Sequence, residues 1–179
     1  MSLYNELIES NKKTASVMIL IYENKYIMYP MGRSADGKWI GIQKLDCYKT
    51  GDVSETTKED FYDEVLSFLD VAINYDKKGI SLANEEDDAT KMFKKAKRNK
   101  FVGFKNVSVD LDFRNENQIN VRRYRRISST EWGANDKDSI LLDDSCSKEE
   151  FIKALNTQIA LANSEVVKRW FSLRKRKLK

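Results

Sequence analysis

Residues 101–127 read FVGFKNVSVDLDFRNENQINVRRYRRI. Val107, Val109, Leu111 and Phe113 alternate with Ser108, Asp110 and Asp112, the period of a strand with one face toward a core. Arg114–Asn117 (RNEN) is a polar break, and Gln118–Ile127 runs back as a second arm. The stretch predicts a β-hairpin. On the return arm Ile119, Val121, Arg123, Arg125 and Ile127 share one face, and Asn120, Arg122, Tyr124 and Arg126 the other.

Upstream, Ala15–Tyr22 and Lys25–Met31 are apolar runs separated by Glu23-Asn24, a second hairpin. Lys38–Leu45 follows the loop GRSADG (Gly32–Gly37), so three antiparallel strands in series form a meander. Leu3, Tyr4, Leu7 and Ile8 have helical spacing. Thr57–Tyr75 is the strongest helix, with Thr56 or Thr57 as N-cap, Glu59 or Asp60 as capping-box partner, and Phe61, Val65, Phe68, Leu69, Ala72 and Ile73 as one apolar stripe. Glu85–Asp88 opens a shorter helix with Met92, Phe93 and Ala96 inward. Trp132 falls in a polar loop ahead of a short apolar stretch, Ile140–Leu142. Ser147 and Glu150 form the capping box of a last helix, whose apolar positions begin at Phe151 and continue or bend beyond Val166. The expected class is α+β: an antiparallel sheet of about five or six strands, meander plus hairpin, packed with helices on one side or at its ends. Residues 1–163 form one domain and residues 164–179 a basic helical tail.

Composition removes much chemistry. The 179 residues include no histidine. That excludes Ser-His and Cys-His nucleophile pairs and imidazole bases. Two separated cysteines, Cys47 and Cys146, make no normal zinc site and read as free thiols. The longest apolar run, Val17–Tyr22, has six residues, against roughly 20 for a membrane span. The opening MSLYNELIESNKK is polar, unlike a secretory signal. Net charge is +4, but seven basic residues lie between Lys168 and Lys179, which leaves 25 basic against 28 acidic elsewhere. The body is mildly acidic. The tail has the charge that suits a helix C-terminus, and it is also a candidate nucleic-acid contact.

Asp110 and Asp112 resemble half of a carboxylate metal site, yet simple pleating puts both on a solvent face and explains them without chemistry. Ser-x-x-Lys occurs three times, at Ser10, Ser145 and Ser172, as a lysine-rich chain produces by chance. The loop at Gly32–Gly37 lacks the Gly-Lys-Ser/Thr ending of a phosphate loop. The feature that stands out is arginine: five of ten lie between Arg114 and Arg126. A strand with guanidinium groups on both faces requires one face open to water or to an acidic partner. A solvated edge guarded against strand pairing, a protein interface and a nucleic-acid surface all meet that requirement.

The run Phe104–Leu111, its turn, the return strand to Tyr124, then Trp132, Asp143-Asp144-Ser145 and the Ser-capped closing helix resemble the CdiI-type immunity proteins of contact-dependent growth inhibition systems. The basic segment Lys94–Lys105 matches that layout, and the resemblance spans roughly residues 15 to 163. It implies a small cytoplasmic protein, not an enzyme and without cofactor. Such a protein binds the toxic C-terminal domain, usually a nuclease, of a CdiA-type exoprotein. Some relatives accept a strand or hairpin from the toxin. Toxins vary, so no contact residue is carried over. An inhibitor of a basic nuclease is usually more acidic than this body, although Glu55–Glu64 and Glu85–Asp88 are local acidic patches. The hairpin's composition makes Arg122, Arg123, Tyr124, Arg125, Arg126 and Trp132 the candidate partner contacts. The alternative reading is a nucleic-acid-binding domain that uses the arginine strand and the tail.

Overall fold

The computed structural model describes residues 3–10, 12–33, 39–41, 47–80, 105–112, 114–126, 132–134 and 136–177, with backbone alone at 33, 39–41, 125–126, 132 and 165–177. The expectations for Glu85–Asp88, for Met92–Ala96 and for Lys94–Phe104 fall outside these residues.

The meander and the hairpin join into one antiparallel sheet. Its strands are β1 (Thr14–Tyr22), β2 (Lys25–Arg33), β3 (Trp39–Gly41), β4 (Lys49–Asp52), β5 (Lys105–Asp112), β6 (Gln118–Arg126), β7 (Trp132–Ala134) and β8 (Ile140–Asp143). The path β3-β2-β1-β5-β6-β7 is six strands wide; β4 shares the β2 edge with β3, and β8 shares the β6 edge with β7. The expected α+β class and strand number are thus met, with short strands added at the edges. Trp132 lies on β7 rather than in a loop.

The first hairpin turns at Glu23, in the left-handed region at φ 53°, and Tyr22 pairs with Lys25. The second turns at Asn117, also at φ 53°, a conformation asparagine tolerates well. Their long seam is β1 against β5, from Thr14–Asp112 to Ile21–Lys105.

Helices α1 (Leu3–Glu9), α2 (Glu59–Asn74) and α3 (Lys148–Lys177) accompany the sheet. One sheet face gives Val17, Ile19, Met28, Val109, Leu111 and Val121 to the core. The helices answer with Leu7, Phe61, Val65, Leu69, Ile73, Phe151, Leu155 and Ile159, all buried. Tyr26 meets Phe61 edge-on at 5.3 Å, and Tyr62 meets Phe151 at 5.0 Å.

Two helix expectations change. Phe68 is only partly buried at the margin of the stripe. The N-cap of α2 is Lys58, because Thr56 and Thr57 are spent in the preceding 3-10 turn, Val53–Thr57. Their hydroxyls donate to the carbonyls of Val53 (2.7 Å) and Ser54 (2.8 Å). The α3 capping box forms as its sequence requires. Ser147 N–H donates to Glu150 Oε2 (2.9 Å), and Glu150 N–H to Ser147 Oγ (3.2 Å). From there α3 continues as one helix to Lys177. Cys47 and Cys146 are not joined in a disulfide.

The other sheet face is not simply solvated. Met18, Ile27 and Tyr29 are buried there, with Leu20, Met31, Tyr48 and Tyr124 packed against them. β1 and β5 are therefore covered on both faces along most of their length.

Candidate functional site

Register alone assembles a polar row on the face away from the helices. Ser16 pairs with Asp110, Asp110 with Asn120, and Asn120 with Leu141, across β1, β5, β6 and β8. Thr14 beside Asp112 begins the next row. The two aspartates do share a face, as pleating predicts, but Asp110 is not solvated: it is 4% exposed. Its carboxylate accepts from Ser16 Oγ, from Ser108 Oγ (2.8 Å) and from Arg122 Nε (2.6 Å). Burial pushes the Asp110 carboxyl up, against the pull of Arg122 and the two hydroxyls. At Arg122, burial favours the neutral form, and the Asp110 carboxylate, with hydrogen bonds to Asp110 and Asp136, overcomes it, so the guanidinium is held more firmly protonated than usual. Arg122 also reaches Asp136 Oδ1 (3.1 Å) and lies 5.7 Å from the Tyr124 ring centre. Burial raises the Tyr124 hydroxyl above its ordinary range.

Arg123 points the other way. It is 3% exposed, and its guanidinium pairs with Asp138. The Asp138 carbonyl in turn accepts from Gln158 of α3. Two consecutive arginines on opposite faces of β6 thus grip Asp136 and Asp138, two residues apart on one 3-10 turn, Asp136–Asp138. The acidic partner that a double-faced arginine strand demands is, for this pair, the chain's own Asp-Lys-Asp turn. The signal was present in the sequence as D-K-D, 14 residues after Arg122, but nothing local showed that this turn folds back onto β6.

Arg114, at the hairpin tip, clasps Asp112 with Nε (3.0 Å) and Nη2 (2.6 Å). These bonds hold the Asp112 carboxyl below the usual carboxylate range. Arg125 pairs with Gly133 and Arg126 with Trp132 through the β6–β7 backbone ladder. The six candidates from the sequence therefore lie on two adjacent strands at one edge of the sheet. Arg122 and Tyr124 share one face, and Arg123 takes the other.

Thr14, Asp112, Asn120, Arg122, Asp136 and Leu141 are among the residues that line a cleft of about 280 Å³. Thr14 Oγ1 and Asn120 Oδ1 are buried there without a hydrogen-bond partner. Among the described residues, no three His, Cys, Asp or Glu side chains gather as a metal ion would need. The Ser-x-x-Lys pairs show no nucleophile geometry at the two places described. Ser10 donates to the Leu7 carbonyl; Ser145 donates to Asp143, while Lys148 pairs with Asp63.

No family model matches the chain, and no curated protein matches it in sequence. Solved structures do match in fold. A protein of unknown function from Neisseria meningitidis superposes at a TM-score of 0.59 with 13% identity, over 84% of this chain and 96% of that one. A chain of the CdiA-CT/CdiI toxin and immunity complex from Yersinia pseudotuberculosis superposes at 0.54 with 14% identity, over 83% and 97%. At these identities the shared property is the fold, and it extends over nearly the whole of both neighbours.

Proposed function

We propose that this chain is an immunity protein that binds and neutralises the toxic C-terminal domain of a CdiA-type exoprotein. The observation that carries the reading is the fold shared with a chain of a toxin and immunity complex over 83% of this molecule. We read the likeness toward the immunity member. The chain has no histidine, and Asp110 and Asp112 on its sheet are occupied by its own arginines. The protein is then a non-enzyme, acts without a cofactor, and meets its toxin in the cytoplasm. Among the described residues no helix is long and apolar enough to cross a membrane. Partner contacts are proposed at the β6–β7 edge, through Arg122, Tyr124, Arg125, Arg126 and Trp132. Arg123 is left to support them from inside.

A nucleic-acid reading fares worse on charge. A phosphate approaching Arg114 or Arg122 also meets Asp110, Asp112 and Asp136, which already neutralise both arginines. The test is co-expression with the cognate CdiA-type toxin domain. Restored growth and a complex that co-elutes on gel filtration are expected. Cells that die despite soluble protein, with no complex formed, would overturn the reading. Purified protein that carries nucleic acid, released steeply by salt, would favour the alternative.

A further inference from the structure

The cleft beside the Asp110–Arg122 pair has a chemistry of its own. Its floor charges are tied within the molecule: Asp110 to Arg122, Arg122 to Asp136, and Asp112 to Arg114. What remains is mostly oxygen. Thr14 Oγ1 and Asn120 Oδ1 are buried and unpartnered, and both residues line the cleft. An unsatisfied buried oxygen is destabilising until a donor reaches it. The Asp136 carboxylate is three-quarters exposed at the mouth, so it keeps capacity beyond Arg122. Three aspartates against two arginines give the lining a net charge of −1. Leu141, half exposed, supplies an apolar wall at the rim.

A group that donates several hydrogen bonds, carries positive charge and trails an aliphatic stem satisfies all of these features together. We propose that the cleft receives one arginine or lysine side chain of the partner protein, the head toward Asn120 and Asp136 and the stem along Leu141. The inference rests on the proposed toxin-binding function and names a specific receptor within it. It places a donor from the partner against acceptors of this chain.

Two measurements test it. In the first, the isolated protein is titrated with argininamide and lysinamide while backbone amide resonances are followed. Shifts concentrated at Thr14, Asn120, Ser139 and Leu141 are expected; shifts absent or spread over the surface would overturn the cleft. In the second, affinity for the toxin domain is measured for Asn120→Lys, for Leu141→Lys at the tolerant rim, and for Thr157→Arg on the exposed side of α3. An ammonium built into the cleft should weaken binding about tenfold or more, with the melting temperature of Leu141→Lys unchanged and Thr157→Arg like wild type. Wild-type binding that survives both lysine changes would overturn this inference and leave the immunity reading standing. A wild type that fails to bind the toxin would overturn both.

Discussion

Asp110 shows how a residue's neighbours reverse its meaning. On its own strand it alternates with Val109 and Leu111 and reads as a solvent-facing charge. In the sheet it is buried between β1 and β6 and held by Ser16, Ser108 and Arg122. Removing one member of a buried pair leaves the other charge without its counter-charge. Asp110→Ala should therefore cost about 3–5 kcal/mol in urea unfolding. Asp110→Asn, which keeps an acceptor, should cost less. A loss under about 1 kcal/mol for the alanine variant would mean that Asp136 suffices for Arg122. Asp112 offers a pH test. Arg114 lowers its folded pKa below the unfolded value, so the pair stabilises fully above the unfolded pKa and is lost as pH falls through the folded one. Arg114→Ala should return the Asp112 carboxyl toward the ordinary range, read by carboxyl carbon shifts. It should also flatten the acid side of the stability curve. An unchanged titration would show that the hairpin-tip pair does not persist in solution.

At the scale of elements, α2 separates periodicity from burial. Phe68 and Leu69 are neighbours on one helical stripe, yet Leu69 is fully buried and Phe68 sits at the margin. Leu69→Ala should cost about 2–5 kcal/mol by cavity formation. Phe68→Ala should cost clearly less, although it removes more atoms; the reverse order in thermal melts would contradict the packing. The start of α3 is a local device and behaves as one. Ser147→Ala removes the acceptor for Glu150 N–H and the donor to its carboxylate, and should cost about 1 kcal/mol. The Asp136–Asp138 turn is the opposite kind of element. Its three residues have no buried side chain and are placed by Arg122, Arg123 and Gln158. Its position belongs to the sheet and to α3 rather than to itself.

Across the whole molecule, one face of the sheet buries its core under the helices, and the other carries the polar row, the cleft and a smaller apolar cluster. The last core residue described on α3 is Ala162, so deletion of residues 174–179 should leave the melting temperature and toxin binding nearly unchanged. Loss of binding with that deletion would move the site to the tail. The sequence by itself determined both hairpins, the core-facing positions of β5 and β6, α2 and the capped start of α3. Those depend on alternation, turn residues and caps, which act within a few residues. It also excluded histidine chemistry outright. Only the tertiary structure decided that β1 pairs with β5 and that both faces of these central strands are covered. It also decided that Arg122 and Arg123 are answered by Asp136 and Asp138, and that Thr14, Asn120 and Leu141 meet around one cleft. Those outcomes join residues far apart in the chain, from Ser16 bonded to Asp110 to Thr14 and Leu141 around one cleft. Pairing energies along the β1–β5 seam set such distances, and no short window of sequence contains both partners.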